Sequence, residues 1–324
     1  MYTRCDSCPT NGDLVACQPH HSLQEILRHP SGALRRFLCP ERVLRALNGV
    51  PSDKVIFTTL NSHAMISGRG DTLQTDKFHL EGHPAAQAVT IERPSGDVIG
   101  ATIFETACPE LRGLDALHFY SLSGELIHRV IFSPGNHSAV FASMDEVHIH
   151  PPKDHIDSND KVFSLTEIKS LKTNWDQLGA LGHLEHLKRY RGRSRQKTLP
   201  HMGRDRAIRM RAEGLFPWLN YLHKNGLVYS RIIPQSGWLQ SDSSEVQSVS
   251  LSNGYVAIES AVGATLIDQS NISYCWETRF LDGGVSVSLV EMYSRCGECV
   301  MVLAPFRNFL LNHWLEVTSQ LSPR

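Results

Sequence analysis

The chain repeats itself, and a doubled chain is built as two copies of one architecture. Tyr120-Ser121-Leu122-Ser123-Gly124-Glu125 returns as Tyr293-Ser294-Arg295-Cys296-Gly297-Glu298, glycine meeting glycine at an offset of 173 in a chain of 324 residues. Gly82-His83 returns as Gly254-Tyr255, and Phe104-Glu105 as Trp276-Glu277. Three echoes in one order, drifting by a single residue, mark a tandem duplication. Apolar runs flank the longest echo in both copies, Leu117 to Val130 and Val290 to Leu303, which predicts a β-hairpin with the glycine at its turn.

Each copy has the same texture. Leu23, Ile26, Leu27, Leu34, Phe37, Leu38, Val43, Leu44 and Leu47 recur at helical spacings, broken near Pro30 and Pro40, and predict a cap of short helices over Ser22 to Asn48. From Val55 to Phe132 short β-rich runs alternate with Gly, Pro, Asn and Asp. Phe141 to Asp160, with Pro151-Pro152 and His148, His150 and His155, reads as a linker. The second half repeats the order with helices over Leu165 to Asn225, strands over Val228 to Leu303 and a closing helix over Arg307 to Leu321. The expectation is an α+β protein, a tandem duplication in which each half is a helical cap followed by a large antiparallel sheet. The repeats are assigned to 1–155 and 156–324.

A formal net charge of −1 and 41% hydrophobic content imply no general polyanion partner, and nucleic acid is not expected. No apolar run approaches the ~18 residues of a membrane span, and the opening Met-Tyr-Thr-Arg-Cys-Asp has no signal-peptide core. The expected location is the cytoplasm, where cysteines stay reduced. Cys5/Cys8 and Cys296/Cys299 are C-x-x-C pairs that together could hold zinc, but the second lies in the repeated turn and reads as turn residues. Cys17, Cys39, Cys108 and Cys275 read as small buried apolar residues.

Among 17 histidines there is no H-E-x-x-H, and the chain has no G-x-S-x-G, P-loop or G-x-G-x-x-G. The informative stretch is Trp175 to Tyr190. On one continuous helix Trp175, Leu178, Leu181, Leu184 and Leu187 sweep an apolar face, with His183 and His186 at its borders. A basic run follows, from Lys188, Arg189, Arg191, Arg193, Arg195 and Lys197 on to Arg204, Arg206, Arg209 and Arg211. Imidazole at an apolar border with guanidinium groups behind it suits a flat apolar ligand that carries iron and acidic tails, which is haem. A satisfied boundary histidine and a basic face that is solvated or binds nucleic acid are the competing readings.

The strand-turn-strand Leu117 to Phe132, the Trp175 stretch, and Trp276-Glu-Thr-Arg279 followed by Val287-Ser-Leu-Val-Glu-Met-Tyr293 resemble, in the right order, the phrases of the HemS/ChuS-type haem-utilisation proteins, themselves tandem duplications. The resemblance spans about Val55 to the C-terminus. It implies a cytoplasmic bacterial protein that binds and traffics haem b (iron protoporphyrin IX), with a haem oxygenase or an inner-membrane haem transporter as partner, or one that itself degrades haem reductively. It implies an axial histidine in the Trp175 stretch; His183 is the expected metal ligand and His186 its alternate, with Arg189, Arg195, Arg307 and Tyr293 as rim contacts to the propionates. Counted without gaps, the family's ligand position lands on Gly182, and the D-L-R strand of the relatives is here Asp97-Val98-Ile99, without the arginine.

Overall fold

The structure is a computed structural model. It describes residues 23–24, 34–51, 54–61, 63–73, 89–92, 99–108, 111–148, 165–188, 193–235 and 238–305, with Trp314 and Thr318. The expected boundary at residues 155/156, Cys5, Cys8, Cys17, His150, His155, Arg189 and Arg307 lie outside the described residues, as does most of the expected closing helix.

The first copy runs β1 (Leu34–Leu38), α1 (Pro40–Leu47), β2 (Val55–Leu60), β3 (Ala64–Gly68), β4 (Gly70–Leu73), β5 (Val89–Glu92), β6 (Ile99–Cys108), β7 (Leu114–Ser121), β8 (Leu126–Phe132) and α2 (Ala139–Ala142). The second opens with α3 (Leu165–Asn174), a 3-10 turn at Trp175–Gln177, α4 (Gly179–Lys188), α5 (Arg193–Thr198), β9 (Ala207–Met210) and α6 (Leu215–Lys224). It continues through β10 (Tyr229–Gln235), β11 (Trp238–Asp242), β12 (Val246–Ser252), β13 (Tyr255–Ser260), β14 (Gly263–Asp268), β15 (Ile272–Asp282), β16 (Val285–Ser294) and β17 (Cys299–Pro305).

Two sheets result, and the copies share them. One has the order β1-β6-β7-β8-β2-β3-β14-β13-β12 and the other, from its matching end, β9-β15-β16-β17-β10-β11-β5-β4. The first six strands of each correspond one to one, and the remainder come from the opposite copy. Neighbours are antiparallel throughout except β4 and β5, which pair in parallel. The two sheets also meet directly where the amide nitrogen of Gln240 donates to the carbonyls of Phe57 at 3.2 Å and Ile66 at 3.1 Å. Neither sheet is complete without strands from both halves.

The repeated turn is the same object twice. Gly124 and Gly297 take φ of 80° and 84°, the left-handed region that glycine enters without a Cβ penalty. The Gly124 amide donates to Ser121 O at 2.9 Å and the Gly297 amide to Ser294 O at 3.0 Å. Ser121 and Ser294 also accept, on their side-chain oxygens, the amides of Glu125 and Glu298. One echo is a residue out of register: His118 pairs with Ile103 and Glu291 with Trp276, so the offset of 173 makes Glu105 the counterpart of Thr278 rather than of Glu277.

Leu34–Leu38 is a strand, not part of a helical cap. A residue before proline avoids helical backbone, and Cys39 ahead of Pro40 is extended at ψ 119°. The segment feeding into it stays extended, and β1 pairs with β6.

Candidate functional site

The outer face of the second sheet, covered by α3, α4 and α5, holds the residues singled out from the sequence. Leu171, Trp175, Leu184, Leu187 and Leu199 pack on Ile232, Phe280, Leu289 and Tyr293 from the strands. Each large apolar side chain buried there contributes about 1.5–3 kcal/mol, which seats the helices. The Trp175 indole donates to Arg279 O at 2.7 Å and anchors the start of the layer.

The helix is not continuous through Trp175 to Tyr190. Gly179 has φ of 59°, so the 3-10 turn at Trp175–Gln177 ends there and α4 starts afresh, its Ala180 amide received by the Asp282 carboxylate at 3.1 Å. This break resets the helical phase. His183 therefore turns inward, fully buried, its ring 4.5 Å from that of Trp175 and 3.8 Å from that of Phe280 between centroids. His186, one turn on, stands at the half-buried margin of the layer.

Both ring nitrogens of His183 are engaged. Nε2 donates to Trp175 O at 2.9 Å, and Nδ1 accepts from the Arg195 guanidinium at 2.7 Å, a pair that requires the neutral Nε2–H tautomer. Burial first, and then the Arg195 charge, push its pKa down to about 2. Arg195 is itself buried, its Nε 2.9 Å and its Nη2 2.6 Å from the Glu291 carboxylate, with its guanidinium carbon 4.4 Å from the Trp175 ring centre. Burial alone would lower the Arg195 pKa, but the Glu291 charge and hydrogen bonds, with Tyr293 and Cys299, together outweigh it and the net shift is upward. Glu291 also receives the Tyr293 hydroxyl at 2.6 Å and the Thr278 hydroxyl at 2.5 Å.

These contacts revise three expectations. His183, Arg195 and Tyr293 are parts of one closed ion-pair network that locks α4 and α5 onto the sheet. His183 has no lone pair to offer iron, and Arg195 and Tyr293 are spent on Glu291. Tyr293, which burial and Glu291 hold well above its ordinary pKa, stays a neutral donor. Glu291 was missed from the sequence, although an acid between Val290 and Met292 in a run apolar on both faces was a visible signal. Of the predicted ligands, His186 is the one whose side chain reaches the margin.

Gly182 lies one turn before His186. A Cβ there would stand 2.9 Å from the Cβ of Leu178, so the position is kept bare by packing. His186 follows Gly182 by four residues and so lies on the same face of α4. The basic run divides: Arg206 pairs with Asp176 at 2.5 Å, Arg209 lies over the Tyr274 ring, and Lys197, Arg204 and Arg211 face solvent. Cys296 is exposed in the repeated turn with its sulfur 3.0 Å from the Ser294 hydroxyl, and Cys299 is buried with its thiol donating to Met301 O at 3.9 Å. Among the described residues no helix is long and apolar enough to cross a membrane.

No family model matches the chain, and no curated protein matches its sequence. Solved structures do. The haem-degrading enzyme ChuS of Escherichia coli O157:H7 is 16% identical with a TM-score of 0.72, over 92% of this chain and 89% of that one. The haem-binding protein PhuS of Pseudomonas aeruginosa is 14% identical with a TM-score of 0.69 over 90% and 87% in its apo form. Its holo form gives 15%, 0.68, 90% and 87%. The chain has the HemS/ChuS-type fold over nearly its full length.

Proposed function

We propose that this protein binds haem b and carries it in the cytoplasm of a bacterium that uses haem iron. The observation that carries the reading is the likeness, over about nine tenths of both chains, to ChuS and to apo and holo PhuS. Haem brings an iron with open axial positions and a flat apolar ring with two carboxylates. His186 fits as the axial donor, since it is half-buried at the margin of the helical layer on the same face of α4 as Gly182, whereas His183 does not fit. Arg189 and Arg307 are the proposed propionate partners. The network of His183, Arg195 and Glu291 acts by holding α4, and thus His186, in place.

Hemin titration of the purified chain tests this. The expected result is a protein-bound Soret band, with affinity reduced at least about tenfold and the band shifted in His186→Ala. A free-pigment spectrum with the wild-type chain overturns the haem reading, and an unchanged titration in His186→Ala overturns the assigned donor. The likeness to a haem-degrading enzyme supports a second reading, in which the bound haem is opened. Under reductant, with catalase present, loss of the Soret band and release of iron or CO identifies degradation, and a stable band identifies carriage.

A further inference from the structure

The outer face of the first sheet carries a different polar group at the place corresponding to the Glu291 network. Glu105 and Cys108 on β6 and His118 on β7 bring a carboxylate oxygen, a thiol sulfur and a ring nitrogen within 4.8 Å of one another, with all three residues buried. In a regular strand residues 105 and 108 face opposite sides. Here the pairing slips between Glu105 and Cys108, and Ala107 takes a φ of 50°, a conformation that costs a non-glycine residue about 1 kcal/mol or more. The Ala107 amide is held by the Asp115 carboxylate at 2.9 Å. This bulge is what turns the Cys108 thiol onto the face of Glu105 and His118, and bulges that re-aim a side chain are typical of sites. The counterpart strand β15 pairs with β16 without a slip from Tyr274 to Asp282, so the second copy has no such device.

We propose that Glu105, Cys108 and His118 form a zinc site with a fourth position open to water or a small ligand. A thiolate, an imidazole and a carboxylate on rigid strands are a zinc donor set, and the soft sulfur disfavours magnesium or calcium. The surroundings orient the donors. Arg35 Nε lies 3.3 Å from Glu105 Oε1, and Glu105 Oε2 lies 3.4 Å from His118 Nε2. Arg129 Nε donates to His118 Nδ1 at 3.3 Å, so without metal the ring proton sits on Nε2. Zinc entry releases the Cys108 thiol proton to solvent. It also moves the ring proton to Nδ1, and the long Arg129 contact is given up. Arg129 therefore opposes loading, which supplies a readout that a purely structural cluster would not move.

The test uses the full-length chain with Cys5, Cys8 and Cys296 replaced by serine, stripped with chelator and titrated with cobalt(II) and then zinc(II). The expected result is one equivalent bound, with a thiolate-to-cobalt charge-transfer band that zinc abolishes. Cys108→Ser should remove the band, Glu105→Gln should weaken binding at least about tenfold, and Arg129→Gln, which offers Nδ1–H an acceptor, should tighten it. Zinc should raise the Tm of the parent and not that of Cys108→Ser, so a Cys108→Ser chain that folds but ignores zinc is positive support. No cobalt uptake by the parent, or a charge-transfer band that survives Cys108→Ser, overturns the proposal.

Discussion

A buried neutral histidine makes stability depend on pH with a sign that can be worked out. His183 has its pKa lowered from 6.5 to about 2 in the folded chain, while the unfolded chain keeps the ordinary value. Between these values the unfolded state binds a proton that the native state does not, so stability is intact above pH 6.5 and falls as pH drops toward 2. The slope is about 1.4 kcal/mol per pH unit, and from pH 7.5 to 4.5 this one ring removes about 2.5 kcal/mol. His183→Gln keeps a hydrogen-bonding group and removes the titration. Urea unfolding at pH 7.5, 6.0 and 4.5, compared at equal m, should show the variant less stable at pH 7.5 but losing about 2–3 kcal/mol less on acidification. Parallel stability curves for the two chains refute the reasoning, because they would mean that His183 takes a proton in the folded chain as readily as in the unfolded one. That behaviour belongs to a histidine with a free nitrogen, as an axial ligand awaiting iron must have.

Two further outcomes follow from the same packing. Arg195→Met leaves the fully buried Glu291 carboxylate with only hydroxyl donors, and should cost about 3–5 kcal/mol; the Arg195→Met/Glu291→Leu double variant should regain most of it, and a single-variant cost below about 1 kcal/mol in urea melts would contradict the closed network. Residues 165–324 expressed alone would leave β11 without β5 and β14 without β3, so gel filtration and urea melts should show aggregation or non-cooperative unfolding, whereas a soluble monomer with one sharp transition would contradict the shared sheets.

What could be read from the sequence was local or repeated. The turn at Gly124 and Gly297 was legible because its geometry depends on five neighbouring residues, and the duplication because it compares the chain with itself. The strands between Val55 and Phe132 and between Val228 and Leu303 followed from alternation and turn residues, whereas β1 and β9 fell in stretches read as helical. The crossing of β12, β13 and β14 into the first sheet was not legible, since no period within a strand names its partner across 170 or more residues, as between Gly263 and Gly68. His183 was placed at the border of the apolar face rather than inside it for a definite reason: the helical wheel was turned from Trp175, and a single left-handed residue at Gly179 broke its phase. Glu291 was hidden by its place among apolar neighbours, where its burial depends on an arginine 96 positions earlier.

The two copies show how one buried position can serve two chemistries. His118 and Glu291 occupy the same register on β7 and β16, and across the pair Glu105 stands where Thr278 does. A carboxylate on a covered sheet face must be paired, and each copy recruits its cation from a different element: Arg195 from α5 in the second, Arg35 from the edge strand β1 in the first. The second copy completes the pairing with a bidentate guanidinium and two hydroxyls and becomes a lock for the helices above it. The first pairs its acid more loosely, at 3.3 Å to Arg35 and 3.4 Å to His118, and adds a thiol through a bulge that the other strand lacks. After duplication one buried register thus came to hold two different polar clusters, an arginine-carboxylate lock in one copy and a carboxylate, imidazole and thiol in the other.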